Sequence, residues 1–244
     1  LFSVFLLTRS FILAPIVAKV IGDRINAEVE IKSASWSWNG TVVLQDLEIH
    51  ARGIEGPASR IALLDLTTVQ VENWLPWQSF QVVKIDSDQL TIRIAESEIV
   101  SGEFNFSSFM SSKFSVDETG GSSQKEKIDI DELFTTIDLK ILTLEIGTMQ
   151  ESSWTLSESV DFTVSLNPID DHTYDLVLVD ESDSISISGK CDFSAPEIEL
   201  TVEPMQLDTS LFALLPKTAR IWCDAIELSG DIGEIGIVWD TKNG

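Results

Sequence analysis

The sequence is poor in the residues that most often carry enzyme chemistry. It has only two histidines, His50 and His172, in 244 residues, which is too few for a general-base network. The HExxH and GxSxG motifs and a glycine-rich phosphate loop are all absent from it. The sequence therefore predicts neither an enzyme active site nor a bound cofactor.

Cysteine is equally scarce. Cys191 and Cys223 stand far apart with no CxxC pair, and both histidines are isolated. The closely spaced ligand pairs of a zinc site are therefore missing, and no metal site is predicted. The two thiols fit small buried apolar positions or a disulfide in an oxidising compartment.

Basic residues are few, with 16 Lys and Arg against 40 Asp and Glu and a formal net charge of −24. A basic surface for nucleic acid is excluded at that charge. By count, residues 1–80 carry a net charge of −2 and residues 81–244 carry −22. An anionic bilayer surface would repel the acidic part, which suits a body that stands away from a membrane.

The acidic residues include several close pairs. These are Asp86 with Asp88, Asp170 with Asp171, and Asp180-Glu181 with Asp183. Two carboxylates can serve a glycosidase, and carboxylates in a loop can bind calcium. Each pair lies in a turn signal, where Asp is favoured for its local backbone hydrogen bonds. We interpret the pairs as turn residues.

A long hydrophobic run is missing, because the apolar residues 1–7 fall short of the about 20 that span a bilayer. We interpret them as the end of a longer anchor, followed by an amphipathic helix with apolar residues at helical spacing up to Ile21 and interrupted or kinked at Pro15. A cleaved secretory signal and an ordinary core helix are the alternatives. The residues predicted at the membrane interface are Arg9, Ile12, Ile16, Val20, Trp36 and Trp38.

The two tryptophans in this set, Trp36 and Trp38, have a spacing of two. In a strand they would share one face. They would serve either as an aromatic anchor at the bilayer interface or as core packing at the end of a sheet.

After Ala27 the hydrophobic period changes from helical to two, which predicts strands. Turn signals occur at Asn39-Gly40, at Gly53 to Pro57 and at Asp86-Ser87-Asp88, and the apolar phase slips near Gln45-Asp46 as at a β-bulge. We expect a meander of antiparallel strands with one apolar face. The predicted strands are 28–32, 42–49, 61–71, 82–85, 90–94, 137–141, 142–146, 161–166, 174–179, 184–188, 198–202, 226–228 and 235–239.

Two segments depart from the strand pattern. Residues 107–127 are rich in Ser, Gly, Lys and Glu and predict a flexible surface loop. Residues 208–216 predict the one helix of the second half, with Asp208-Thr209-Ser210 as its start signal and Pro216 near its end.

The order of these features resembles the amino-terminal region of the AsmA-like family. That family comprises membrane-anchored, envelope-spanning proteins of diderm bacteria that are related in architecture to the TamB and chorein-type lipid-bridge proteins. The resemblance covers roughly residues 10–106 and rests on the helix 14–22, the Trp-containing strand 31–40, the strand 43–49, Val69-Gln70-Val71 before Trp74-Leu75-Pro76-Trp77, and 90–94 before Gly102-Glu103-Phe104-Asn105-Phe106. Farther on, Leu214-Leu215-Pro216 and 228–232 look like the helix-then-strand units of the family.

The resemblance implies a mainly β fold, in which a long curved antiparallel sheet forms a hydrophobic groove, a β-taco. It also implies a single-pass inner-membrane protein with its body in the periplasm that conducts phospholipid acyl chains between inner and outer membrane. The implied parts are the end of the anchor with its amphipathic helix at 1–26, the groove at 27–106, the loop at 107–127 and the continuing groove at 128–244. The implied partners are phospholipid, the inner membrane and envelope proteins, without nucleic acid.

Two other functions fit the same sequence. One is a TamB-like scaffold that assists outer-membrane protein assembly, and the other is a secreted β-sandwich that acts as a binding module. In a sandwich, the apolar residues that would line a groove become ordinary core, and the sequence does not separate the two. The predicted lipid-binding residues are Val29, Ile31, Leu47, Ile49, Val69, Val71, Val83, Ile85, Ile92 and Ile94.

Overall fold

The structure is a computed structural model that describes most of the chain. The described residues are 10–25, 27–72, 81–100, 103–107, 136–151, 153–170, 173–182, 184–192, 197–207, 215, 217–226 and 229–240. The predicted anchor residues 1–9, the segment Trp74-Leu75-Pro76-Trp77 and residues 108–127 of the predicted loop lie outside them.

The described strands form one open ten-stranded sheet and a separate two-stranded ribbon. In the sheet, spatial order follows chain order from β1 to β9, and β12 completes it beside β9. The mainly β prediction is confirmed. The strands are β1 (Glu28–Trp36), β2 (Thr41–His50), β3 (Arg60–Glu72), β4 (Gln81–Ser97), β5 (Ile137–Gln150), β6 (Ser153–Pro168), β7 (Thr173–Asp180), β8 (Ser186–Asp192), β9 (Glu197–Val202), β10 (Met205–Leu207), β11 (Gly230–Ile232) and β12 (Ile235–Asp240).

Three helical elements accompany the sheets in the described parts of the chain. They are α1 (Ser10–Ile25), the 3-10 helix Gly56–Ser59, and α2 (Lys217–Ala225). Pro15 lies inside α1. The helix at 10–25 agrees with the apolar spacing of the sequence.

The predicted all-antiparallel arrangement is wrong at one pair. β4 and β5 run parallel, whereas the other neighbours in the sheet are antiparallel. A parallel pair needs a crossover connection of a dozen or more residues, and residues 98–136 provide that length. The polar segment 107–127 belongs to this crossover.

The predicted turn Asp86-Ser87-Asp88 is also wrong, because these residues lie inside the 17-residue strand β4. Lys84 donates a hydrogen bond of 2.9 Å to Asp86, and Lys140 of β5 pairs with Asp88. Ser87 is buried and its hydroxyl lies 3.3 Å from the carbonyl of Leu66 in β3. Lysine side chains of the sheet thus neutralise Asp86 and Asp88, whose local sequence is typical of a turn.

Near residue 220 the described structure has a helix beyond the predicted residues 208–216. Residues 208–214 and 216, where a helix is predicted, lie outside the described residues, and the described helix α2 begins at Lys217. Proline suits the start of a helix better than its end, and Pro216 immediately precedes α2. The predicted strand 226–228 is wrong at Ile226, which lies in a turn after α2.

The predicted phase slip in β2 is confirmed. Asp46 adopts a φ of 48°, and Leu44 and Leu47 both pack into one cluster although an odd spacing separates them. The slip continues across the sheet, because two rows of cross-strand partners lie three residues apart on each of the strands β1 to β5. The two rows are Ala34, Leu44, Thr67, Ser87, Leu139 and Ile31, Leu47, Leu64, Leu90, Leu142. Adjacent strands therefore slip together and keep one face continuous.

Candidate functional site

One face of the ten-stranded sheet is predominantly apolar. Cross-strand partners project from the same face of a sheet, so each row of partners across the strands has a single face. We call the face made by the following rows the apolar face. The rows are Ile31, Leu47, Leu64, Leu90, Leu142, Phe162; Val29, Ile49, Ala62, Ile92, Leu144, Val160; and Val164, Leu178, Ile187, Val202, Ile235.

The opposite face, which we call the polar face, carries mostly charged and hydroxyl side chains. One row consists of Asn167, Asp175, Lys190 and Glu199. In another, the Thr143 hydroxyl donates a hydrogen bond of 2.6 Å to Asp161 and accepts one of 2.8 Å from the Gln89 amide. The two faces therefore differ in polarity along these rows, although the polar face also carries exposed apolar residues such as Leu66 and Ile141.

Helix α1 covers the amino-terminal end of the apolar face. Leu13 and Ala14 of the helix form a buried cluster with Ala34, Leu44 and Leu47 of the sheet. The predicted lipid-binding residues in or against this cluster are Val29, Ile31, Leu47, Ile49 and Val69. These residues thus lie under or beside the helix.

The other predicted lipid-binding residues lie nearer the middle of the sheet. Val71 is buried, while Val83, Ile85, Ile92 and Ile94 are half-buried. Ile92 has Ala62 and Leu144 as its cross-strand partners.

The apolar face continues through strands that the sequence assigned to the groove without naming lipid-binding residues. On β7 to β9, Leu176, Leu178, Ile187, Leu200 and Val202 are all half-buried. The period-two spacing of residues 174–179 predicted a strand there, but hydrophobic periodicity does not show which strands lie beside it. These residues continue the apolar face across β7 to β9.

The predicted membrane-interface residues do not behave as one group. Trp36 ends β1 and packs against the cluster under α1, whereas Trp38 lies in the following turn and is 67% exposed. The prediction that the two tryptophans share a strand face is therefore wrong, because the strand ends between them. Ile12 is half-buried and Ile16 exposed; Arg9 and the side chain of Val20 lie outside the described residues.

Helix α1 does not reach the length and apolarity needed to cross a bilayer, and neither does any other helix in the described residues.

The stretch Gly102-Glu103-Phe104-Asn105-Phe106, part of the family resemblance, has a structural role at Asn105. Phe104 forms a bridge to Glu96 at the end of β4. Asn105 is fully buried, and its side-chain amide joins the backbone of β4 to that of β3. The stretch thus connects β4 to Arg60, the first residue of β3.

A buried ion pair organises the polar face near this point. The Arg93 side chain is 7% exposed, and its Nε and Nη2 donate hydrogen bonds of 2.8 and 2.6 Å to Glu145. Its Nη1 donates to the Pro57 carbonyl at 2.9 Å, and its guanidinium lies 4.6 Å from the ring centre of Trp154. Gly147 leaves room for that ring, because a Cβ there would lie 2.5 Å from it.

A cleft of about 670 Å³ opens beside this ion pair, lined among others by His50, Arg60, Arg93 and Trp154. Arg93 is engaged by Glu145, and Arg60 lies 3.8 Å from Glu48, which also contacts His50 at 3.4 Å. The cationic groups of the cleft are thus already matched by carboxylates. The apolar face is the stronger candidate for a binding surface.

Two acidic pairs serve turns as predicted. Asp170 accepts a hydrogen bond of 2.8 Å from the Thr173 amide. Asp180 accepts from the Ile185 amide at 2.7 Å and from the hydroxyls of Ser182 and Ser184. Burial opposes ionisation of Asp180, but these hydrogen bonds outweigh it and lower its pKa from 3.8 to about 2.

Replacing Asp180 with asparagine is expected to lower the free energy of unfolding near neutral pH by about 2 kcal/mol. The folded-state pKa lies below the unfolded one, so this contribution is complete above about pH 4 and disappears as the pH falls towards 2. Urea unfolding of both proteins across this range measures the difference. The exposed neighbour Glu181→Gln is the control, and a constant difference between wild type and Asp180→Asn at every pH would contradict the expectation.

The cysteines Cys191 and Cys223 are free, half-buried thiols. Burial raises the pKa of the Cys191 thiol, which makes it less reactive at neutral pH. Within the described residues, no group of three or more His, Cys, Asp or Glu side chains is placed to hold a metal ion.

No family model, no curated protein and no solved structure matches the chain.

Proposed function

We propose that this chain is an AsmA-like, membrane-anchored envelope protein whose apolar face binds and conducts the acyl chains of phospholipids. The observation that carries the proposal is a single open sheet with one continuous apolar face. In this proposal the amino-terminal segment anchors the protein in the inner membrane. The acidic body stands in the periplasm, away from the anionic bilayer surface.

The size of the face suits an extended apolar ligand. With neighbouring strands about 4.8 Å apart, ten strands give a face roughly 43 Å wide. Helix α1 covers one end of this face, and beyond it Leu178, Ile187 and Val202 are only half-buried. A large accessible apolar surface marks a site of interaction. Each methylene that leaves water there contributes about 0.8 kcal/mol, so a lipid tail would be held without being fixed in one position.

The partial exposure of Leu178, Ile187 and Val202 supports an open groove over a sealed core. A β-sandwich buries its inner faces between two sheets about 10 Å apart. The described strands instead form one large sheet and one two-stranded ribbon. Acyl chains would supply the cover that a second sheet supplies in a sandwich.

A matched pair of substitutions on β7 tests the proposal. Leu178 lies on the apolar face between Val164 and Ile187, and its neighbour Val177 lies on the polar face between Ser165 and Ser188. Both side chains are half-buried, so they differ mainly in the face they occupy. This pair avoids the predicted lipid-binding residues under α1, where a charge would damage the core.

Leu178→Glu is expected to abolish co-purification of phospholipid while the protein stays folded, because a carboxylate in an open groove reaches water. Val177→Glu is expected to keep both fold and lipid. Native mass spectrometry and lipid extraction measure the bound lipid, and circular dichroism the fold. A wild-type chain without phospholipid, or a Leu178→Glu protein that still carries it, would contradict the proposal. Outright unfolding of Leu178→Glu alone would indicate a sealed core.

A further inference from the structure

A pocket of about 480 Å³ lies at the strand ends on the polar face of the sheet. Its lining includes Ser97, which ends β4 and is the cross-strand partner of Met149 in β5. Ser97 lies four residues beyond Arg93 on the same strand, so the two residues share the polar face. The pocket is therefore on the opposite side of the sheet from the apolar face.

The floor and walls of this pocket are apolar. Met149 is buried, and Ile54, from the segment between β2 and β3, packs against its cluster. On the other side, Ile99 and Val100 follow β4 and are 70% and 52% exposed. Of the described large apolar side chains, that of Ile99 is the most exposed. We call the cavity lined by these four residues the end pocket.

Hydrogen bonds hold the loop that carries the two exposed apolar residues. The Ser97 hydroxyl accepts hydrogen bonds of 3.3 and 3.1 Å from the amides of Ile99 and Val100. The Ser97 amide donates to the Glu103 carbonyl at 2.8 Å, and the Glu103 amide donates to the Val100 carbonyl at 3.2 Å. The two side chains are thus presented by an ordered backbone, which reduces the entropy lost when a partner covers them.

Three carboxylates from separate segments line the same pocket. Glu55 precedes the 3-10 helix, Glu103 follows the loop after β4, and Glu151 lies in the turn after β5. All three residues are exposed, and none forms an ion pair with a described lysine, arginine or histidine. An apolar pocket edged by unpaired negative charge complements a partner that is both apolar and cationic.

We propose that the end pocket docks a segment of a partner polypeptide in which apolar side chains are flanked by lysine or arginine. The apolar side chains of the partner cover Ile99 and Val100, and its basic side chains pair with the three carboxylates. A single ammonium ion would leave two of these carboxylates unmatched, whereas a polypeptide segment supplies several basic groups. The inference adds a protein partner on the polar face and does not depend on lipid binding.

Three labelled peptides of equal length test this docking on the full chain. The first alternates Lys with Leu, the second alternates Lys with Ser, and the third alternates Glu with Leu. Fluorescence anisotropy measures their dissociation constants at an ionic strength of about 0.15 M, which screens long-range attraction. We expect the Lys–Leu peptide to bind roughly tenfold more tightly than either of the other two, because it alone matches both properties of the pocket.

Paired variants locate the bound peptide. Ile99→Ser and Glu103→Lys alter the end pocket, and Ile226→Ser and Glu199→Lys make the same changes at exposed residues elsewhere. Each pocket variant is expected to weaken binding of the Lys–Leu peptide roughly tenfold, while each control stays within about twofold of the wild type. Circular dichroism checks that all four variants keep the wild-type fold.

Two results would overturn the inference. The wild-type chain could bind the Lys–Leu peptide no more tightly than the Lys–Ser or the Glu–Leu peptide. Alternatively, the pocket variants and their controls could weaken binding equally, which would assign the peptide to the net charge or to the apolar face. Neither result concerns phospholipid, so the proposed function would stand, and a chain without bound phospholipid would in turn leave this inference standing.

Discussion

Replacing Arg93 with alanine is expected to lower the free energy of unfolding by about 3 to 5 kcal/mol. The guanidinium donates two hydrogen bonds to Glu145 and one to the Pro57 carbonyl, and it lies over the ring of Trp154. Its removal leaves Glu145, which is itself mostly buried, with Arg60 at 4.0 Å as its remaining basic neighbour among the described residues. Urea unfolding followed by circular dichroism measures the loss.

The geometry of the guanidinium makes lysine a poor replacement. One ammonium group cannot reproduce the fork that binds Glu145 and the contact with Pro57 together. Arg93→Lys is therefore expected to lie closer to Arg93→Ala than to the wild type. The double variant Arg93→Met/Glu145→Met should recover much of the lost stability, since it removes the orphaned charge.

An exposed ion pair on the same sheet provides the control. Lys140 and Asp88 also join β5 to β4, but their side chains are 61% and 62% exposed. Lys140→Ala is expected to leave the urea midpoint almost unchanged, because water screens such pairs. Equal effects of Lys140→Ala and Arg93→Ala would show that burial does not decide the strength of these pairs.

Replacing Asn105 with leucine is expected to cost about 3 kcal/mol of stability or more. Its side chain accepts a hydrogen bond of 3.1 Å from the Ala95 amide and donates to the carbonyls of Arg93 and Arg60 at 3.0 and 3.3 Å. Leucine has a similar volume but satisfies none of these backbone groups. The Ala95 amide and the carbonyls of Arg93 and Arg60 would then lose these hydrogen bonds.

Hydrogen exchange at the Ala95 amide gives this prediction a local readout. The amide of Ala95 is expected to lose protection in Asn105→Leu, whereas amides of β8 and β9 keep theirs. The control is Asn167→Leu, because Asn167 is exposed and its side-chain amide donates to the Ser165 hydroxyl on the surface. If both asparagine variants unfolded at the same urea concentration, Asn105 would not hold β4 and β3 together.

The amino-acid sequence by itself determined where most strands of the large sheet lie and which side chains share a face, although it divided β4 and β5 into two strands each and did not predict β10. A period of two sends successive side chains to opposite faces wherever a strand lies, so Val29, Ile31, Leu47 and Ile49 could be placed on one face in advance. Glycines marked turns, as at Gly40 and Gly53, which have φ values of 83° and 82°. These features depend on neighbours along the chain and are therefore visible in it.

Local sequence patterns gave the wrong structure for residues whose interaction partners lie on other strands. Asp86-Ser87-Asp88 has the composition of a turn, yet Lys140 and β3 hold it in the middle of β4. The phase slip was visible at Asp46 alone, although it runs through five strands in register. A local pattern does not contain the ions or hydrogen bonds that a neighbouring strand supplies.

Only the tertiary structure decided which strands adjoin and what each face contacts. The parallel pairing of β4 with β5 brings Arg93 to Glu145 across 52 residues of chain. The same pairing, continued through β6 and β7, places Glu96, Glu158 and Asp180 along one border of the apolar face. Helix α1 takes half of the predicted lipid-binding residues into a core. Hydrophobic periodicity specifies the face of each residue within its own strand, but the register between strands depends on contacts between distant segments.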